Sequence, residues 1–175
     1  WLPIKEVNDF KLGSISSRKG TVFARVTEYI GGQRAGSSEL HFNSKVFGKR
    51  PSGDALKALE YFYTKDMKLS GGRKIKQGYL KNKFNQDKAI TWHELGHLFT
   101  NDLSLTSREN LALGKLFRRY KVSQKDYISY YSTANKHEFF AEFFTYFNQN
   151  KSLRKKQKSI IIDDMRLFLL SLQKR

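Results

Sequence analysis

The 175-residue chain contains no cysteine, which excludes a disulfide framework and any thiolate metal site. A metal centre in it has to be assembled from imidazole and carboxylate. The same absence leaves the compartment open, because cytosolic and many secreted proteins manage without cystine. No apolar run approaches the length of a membrane-spanning helix, and the opening stretch WLPIKEVNDFKLGS lacks the apolar centre of a signal peptide. Acidic residues are few, 16 Asp+Glu against 33 Lys+Arg, for a net charge of +17. Such an excess draws nucleic acid, anionic membranes or acidic proteins through its long-range field. A solvated lysine-rich face accounts for it equally well.

The length suits one domain over residues 1–175, large enough to bury a core without covalent staples. A start at Trp1 is expected of a processed product or of a domain within a longer protein.

Residues 21–30, TVFARVTEYI, are β-branched and aromatic in rough alternation and predict a strand. Gly31 and Gly32 predict a turn, and SELHFNSKVF (38–47) a second strand, giving an antiparallel hairpin whose loop carries Arg34 and Gly36. Ser52 is an N-cap candidate for a helix through DALKALEYFY. Residues 65–88 read as a basic loop broken by Gly71, Gly72 and Gly78. Helical patterns follow from Lys88 to Thr100, from a cap at Ser107, from a cap at Asn135 through KHEFFAEFFTYF, and over IIIDDMRLFLLSL, with 151–158 as a basic connector. The expected class is α+β, a small antiparallel or mixed sheet packed on a helical half.

Two of the four histidines fall in HELGH. Four residues advance an α-helix by little more than one turn, so His93 and His97 leave the same face and can converge on one metal ion. Glu94 sits beside such an ion, placed to hold the attacking water and take its proton. Gly96 allows another backbone to approach the helix closely, and Trp92, Leu95, Leu98 and Phe99 would bury the rest of it. A catalytic zinc needs a third protein ligand. The extended motif with a later glycine and histidine fails at Thr100 and Leu103, His41 lies in a predicted strand, and His137 adjoins a better-placed acid. The EFFAE stretch supplies Glu138 and Glu142, again four apart, among Phe139, Phe140, Phe143 and Phe144. Acids in so apolar a segment are costly unless a metal ion and a histidine N–H satisfy them. Glu138 is assigned as third ligand and Glu142 as the acceptor orienting His93, although spacing permits the reverse. Tyr127, Tyr130 and Tyr131 precede this helix, and a phenol is a suitable donor to an oxyanion. Spacing does not choose among the three.

HELGH followed by SYYSTANKHEFFAEFFTYF resembles the anthrax lethal factor-like metallopeptidases, which include the toxin's catalytic domain, the bacterial Pro-Pro endopeptidases and domains of phage minor head proteins. The resemblance is strong over roughly residues 90–150. It implies a zincin-like fold of the gluzincin type holding one Zn2+ per chain on His93, His97 and Glu138, with Glu94 as the base. The family's tyrosine, seven residues before the third ligand, falls on Tyr131. The resemblance also implies that strand 38–47 is the edge along which an extended peptide lies. The toxin's accessory domains have no counterpart here, and strong positive charge is not a family requirement.

The function expected first is a zinc endopeptidase acting on a protein or peptide, secreted by a bacterium or carried in a phage particle rather than cytosolic. The alternative is a non-proteolytic, structural or DNA-contacting domain of a virion protein. A cytosolic, repressor-cleaving peptidase fits the missing signal peptide but not the long spacing from His97 to Glu138. Arg73, Lys74, Lys76 and Lys81, interleaved with Tyr79 and Phe84, are candidates to hold a polyanion or acidic substrate side chains.

Overall fold

A computed structural model describes residues 9–13, 23–28, 38–47, 49, 53–54, 57, 66–68, 71–76, 86–100, 105–123, 126–149 and 159–172. In chain order these form β1 (Asp9–Gly13), β2 (Ala24–Glu28), β3 (Ser38–Asn43), a single helical turn α1 (Ser44–Phe47), β4 (Asp66–Lys68), β5 (Lys74–Lys76) and α2 (Gln86–Thr100). Then come α3 (Ser107–Ser123), a 3₁₀ turn at Tyr131–Thr133, α4 (Lys136–Gln149) and α5 (Ile160–Leu172). The class is α+β.

The expected hairpin is present: β2 and β3 pair antiparallel, Val26 opposite Leu40. The second strand is shorter than its apolar pattern suggests. Asn43 turns the chain by accepting the Lys45 N–H on its Oδ1 at 3.0 Å, and residues 44–47 coil instead of extending. β1 pairs parallel on the other side, Leu12 opposite Phe42, so the strand order is β1-β3-β2. The resemblance-based placement of a peptide edge on 38–47 is thereby corrected. β3 is the middle strand, its backbone groups already engaged on both sides. β2 is the strand that packs against α2, with Ala24, Val46, Ala89 and Ile90 buried between sheet and helix.

The stretch 65–88 is not simply a loop. Met67 pairs with Ile75 in a second antiparallel ribbon, and Gly71 and Gly72 adopt the positive φ values, 84° and 77°, that its turn requires. The predicted turn at 31–32, the helix from Ser52 apart from three scattered positions, and the connector 151–158 lie outside the described residues.

The helices begin where side chains can replace missing backbone partners. Thr106, not Ser107, caps α3: its N–H and hydroxyl both donate to Glu109 Oε2, at 2.8 and 2.6 Å, while the Glu109 N–H returns to Thr106 Oγ1 at 3.4 Å. Such a reciprocal pair uses the residue three places before the glutamate. Asn135 caps α4, its Oδ1 accepting the His137 and Glu138 N–H groups at 2.9 and 3.0 Å. α4 is the central element, buried without interruption from Phe139 to Thr145. Phe140 and Phe144 face Phe99 of α2, Phe139 and Phe143 face Tyr120 of α3, and Phe140 also meets Phe168 of α5. Each such ring contributes about 1.5–3 kcal/mol through burial.

α2 and α4 approach most closely at Gly96. A Cβ on that residue would lie 2.8 Å from Ala141 Cα and 3.3 Å from the Cβ atoms of Ala141 and Phe144. At Gly114 of α3 the nearest atom to an added Cβ is the mobile end of Arg118, 3.9 Å away. Alanine exceeds glycine in helix preference by about 1 kcal/mol, so Gly114→Ala is expected to raise the thermal midpoint. Gly96→Ala is expected to lower stability by about 1–3 kcal/mol, because overpacking outweighs propensity. Paired thermal melts check both signs, and equal shifts would refute the close-contact account.

Candidate metal centre

On α2 the His93 and His97 rings meet edge to face, centroids 4.8 Å apart, with their Nε2 atoms 3.1 Å from one another. α4 brings Glu138 opposite them, its Oε2 3.0 Å from His93 Nε2 and 3.4 Å from His97 Nε2. Among the described residues these three form a group able to hold a metal ion. Ligands placed tetrahedrally 2.0–2.1 Å from zinc stand about 3.3 Å apart, so the donors present sit close to the required spacing. The side chains of His93, Glu138 and His97 keep 13, 17 and 20 % of their surface accessible, which leaves the cluster within reach of solvent.

Glu138 Oε2 is buried and has no hydrogen-bond partner, despite its closeness to two imidazoles. It lies at ion-pair distance without hydrogen-bond alignment. An unsatisfied carboxylate oxygen is costly, and a cation among the three donors would relieve it. Position helps hold the charge: Glu138 is the third residue of α4, where the helix dipole favours an anion.

Glu142, one turn further on, fixes the other side of His93. Its Oε1 lies 2.9 Å from His93 Nδ1 and its Oε2 accepts the Ser129 hydroxyl at 2.6 Å. Ser129 donates to one oxygen of Glu142, and the other oxygen suits a His93 tautomer with its proton on Nδ1, which leaves Nε2 turned toward His97 and Glu138. The geometry thus separates the two acids that spacing left interchangeable. Glu138 shares the imidazole cluster and Glu142 stands behind one imidazole.

Without a metal the same charges hold a proton. Burial opposes charge on His93, but the adjacent carboxylates of Glu138 and Glu142 raise its pKa from 6.5 to about 10. Burial likewise opposes ionisation of Glu138, yet His93 and His97 hold its pKa well below the usual carboxylate range.

Tyr131 lies in the 3₁₀ turn and stacks on His93, centroids 5.7 Å apart and planes 26° from parallel. Burial, and then the charge of Glu138, push its pKa above the normal phenol value, so it is a protonated donor at neutral pH. Its neighbours point elsewhere: Tyr127 donates to the Lys121 carbonyl at 2.6 Å, and Tyr130 is exposed. Glu94 is half-buried on α2, close enough for its charge to act on both His93 and Tyr131.

Ser129, Ser132 and Tyr120 were not anticipated from the sequence. The one signal was two serines three apart bracketing Tyr130 and Tyr131, a spacing that suits a tight turn. Of the basic candidates, Arg73 and Lys74 are exposed at the start of β5, Lys76 ends that strand, and Lys81 lies outside the described residues. None belongs to the metal-capable group. Among the described residues no helix is long and apolar enough to cross a membrane. No protein-family model, curated protein or solved structure matches the chain.

The pKa shifts fix the sign of a stability profile. His93 is raised, so its contribution is complete below pH 6.5 and lost as pH rises toward 10. Glu138 is lowered, so its contribution is present above pH 4.5 and lost on acidification. Both describe one charge cluster, counted once. Metal-free protein is expected to be most stable between pH 4.5 and 6.5 and to weaken from 6.5 to 10. A divalent metal ion should reverse the alkaline slope, because binding displaces the His93 proton. Denaturant titrations across this range, with and without metal, provide the check.

Proposed function

We propose that the chain is a zinc-dependent endopeptidase with a zincin-like arrangement, related to the lethal factor-like metallopeptidases. The observation that carries this reading is the convergence of His93 Nε2, His97 Nε2 and Glu138 Oε2 within 4.8 Å of one another, beside a protonated tyrosine. Two imidazoles and a carboxylate suit zinc. When bound, zinc would act as a Lewis acid that makes a water acidic and polarises a carbonyl.

The chain's own residues would supply the remainder. Glu94 takes the proton from the attacking water and passes it to the departing amine. Tyr131 donates its hydroxyl hydrogen to the carbonyl oxygen as negative charge builds there. Glu142 holds His93 in the Nδ1–H form throughout. An extended peptide would lie along β2, the strand packed on α2, since β3 is enclosed. Main-chain hydrogen bonds would fix its register.

A second reading, a DNA-contacting domain without proteolysis, draws on the charge of +17 and on the exposed Arg108, Lys115, Arg118, Arg119 and Lys121 of α3. Secretion or carriage in a phage particle remains part of the proposal for either reading.

Metal analysis of the purified chain is expected to give one zinc per molecule. Glu138→Ala should lose zinc affinity by more than about a hundredfold. Glu94→Ala should keep the metal while cleavage of a peptide library falls by about 10²–10⁴. Tyr131→Phe should keep it with cleavage reduced by about 10²–10³. A parent that takes up no zinc from micromolar solution sinks the peptidase reading. Zinc binding without cleavage, together with salt-sensitive DNA retention, would favour the second.

A further inference from the structure

A buried polar chain runs from helix α3 to the metal-capable cluster, and hydroxyl proton counting fixes its direction. Ser132 Oγ donates its one proton to the Ser129 carbonyl at 2.6 Å. Its 2.6 Å contact with the Tyr120 hydroxyl is therefore one in which Tyr120 donates. The Tyr120 oxygen in turn accepts the Ile128 N–H at 2.8 Å. Ser129 Oγ accepts the Ser132 N–H at 3.0 Å and spends its proton on Glu142 Oε2 at 2.6 Å. Glu142 Oε1 then accepts from His93 Nδ1 at 2.9 Å. Tyr120, Ser129 and Ser132 are fully buried and Glu142 nearly so.

Two consequences follow from this wiring. Tyr120 clamps the 128–132 turn at both ends, by Ile128 and by Ser132, and Tyr131 lies inside that clamp. Ser129, in the same turn, holds the carboxylate that fixes the His93 tautomer. We infer that Tyr120 and Ser129 are positioning residues for the centre: Tyr120 sets the Tyr131 ring over His93, and Ser129 sets Glu142 against its Nδ1–H. This rests on the peptidase reading for its use, though not for its geometry. A buried tyrosine whose oxygen only filled space would not need both a donor and an acceptor bond into one turn.

The test is NMR on the full labelled chain, comparing the parent with Tyr120→Phe and Ser129→Ala. Spectra are taken first in chelator and then with one equivalent of zinc chloride, and zinc affinity is measured by chelator competition. The parent is expected to show a protected His93 Nδ1–H proton and strong cross-relaxation between the Tyr131 and His93 rings. Tyr120→Phe should keep the core signals and zinc affinity within about threefold, but lose most of the ring-to-ring signal. Ser129→Ala should exchange the Nδ1–H about tenfold faster and bind zinc about tenfold more weakly. Should Tyr120→Phe fail to fold, Ser132→Ala removes the same link from the other side and is read in the same way. Parent-like ring signals, protection and affinity in the variants overturn the inference. A parent that binds no zinc defeats the peptidase reading instead, while the spectra in chelator still decide the positioning roles.

Discussion

Helices α2 and α4 touch where Gly96 lies over Ala141, at a distance that admits no further carbon, and the geometry of the centre depends on that contact. The imidazoles project from one helix and the carboxylates from the other. Their separations of 3.0–3.4 Å are consequences of how deeply one helix settles on its neighbour. A shift of a few tenths of an ångström between the backbones would alter every donor distance together. Packing by Trp92, Phe99, Phe140 and Phe144 holds the two helices at that depth.

The second constraint is electrostatic. α4 buries four phenylalanines and Glu142 in a continuous apolar segment, and an acid there is tolerable only when its oxygens are satisfied. Glu142 meets that condition with one bond to α2 and one to the turn before α4. Glu138 does not, because its Oε2 faces imidazoles without an aligned hydrogen bond. The difference assigns them separate chemistry. The satisfied acid orients, and the unsatisfied one is the group a cation would complete.

Much of the helical half was legible in the residues. The four-residue intervals of His93/His97 and Glu138/Glu142 place each pair on one face, because helix geometry is local. The Asn135 cap and the terminal helix follow from equally local rules, and the missing side chain at Gly96 marked where another backbone could come close. Pattern reading failed where a longer-range or competing interaction won. The capping pair of α3 engages Thr106 and not the serine after it. The Asn43 side chain stops β3 before the apolar pattern ends, and β4 and β5 find each other across a glycine turn inside a basic stretch.

By itself the sequence determined which side chains could act as ligands, base and donor, since the absence of cysteine and the helical intervals are fixed by the chain alone. Only the tertiary structure decided which glutamate faces the imidazoles, which tyrosine stacks on His93, and which strand lies against α2. Those choices depend on the rotation and depth of α4 against α2 and on β1 enclosing β3. Contacts between distant segments set both, and no periodicity along the chain encodes them.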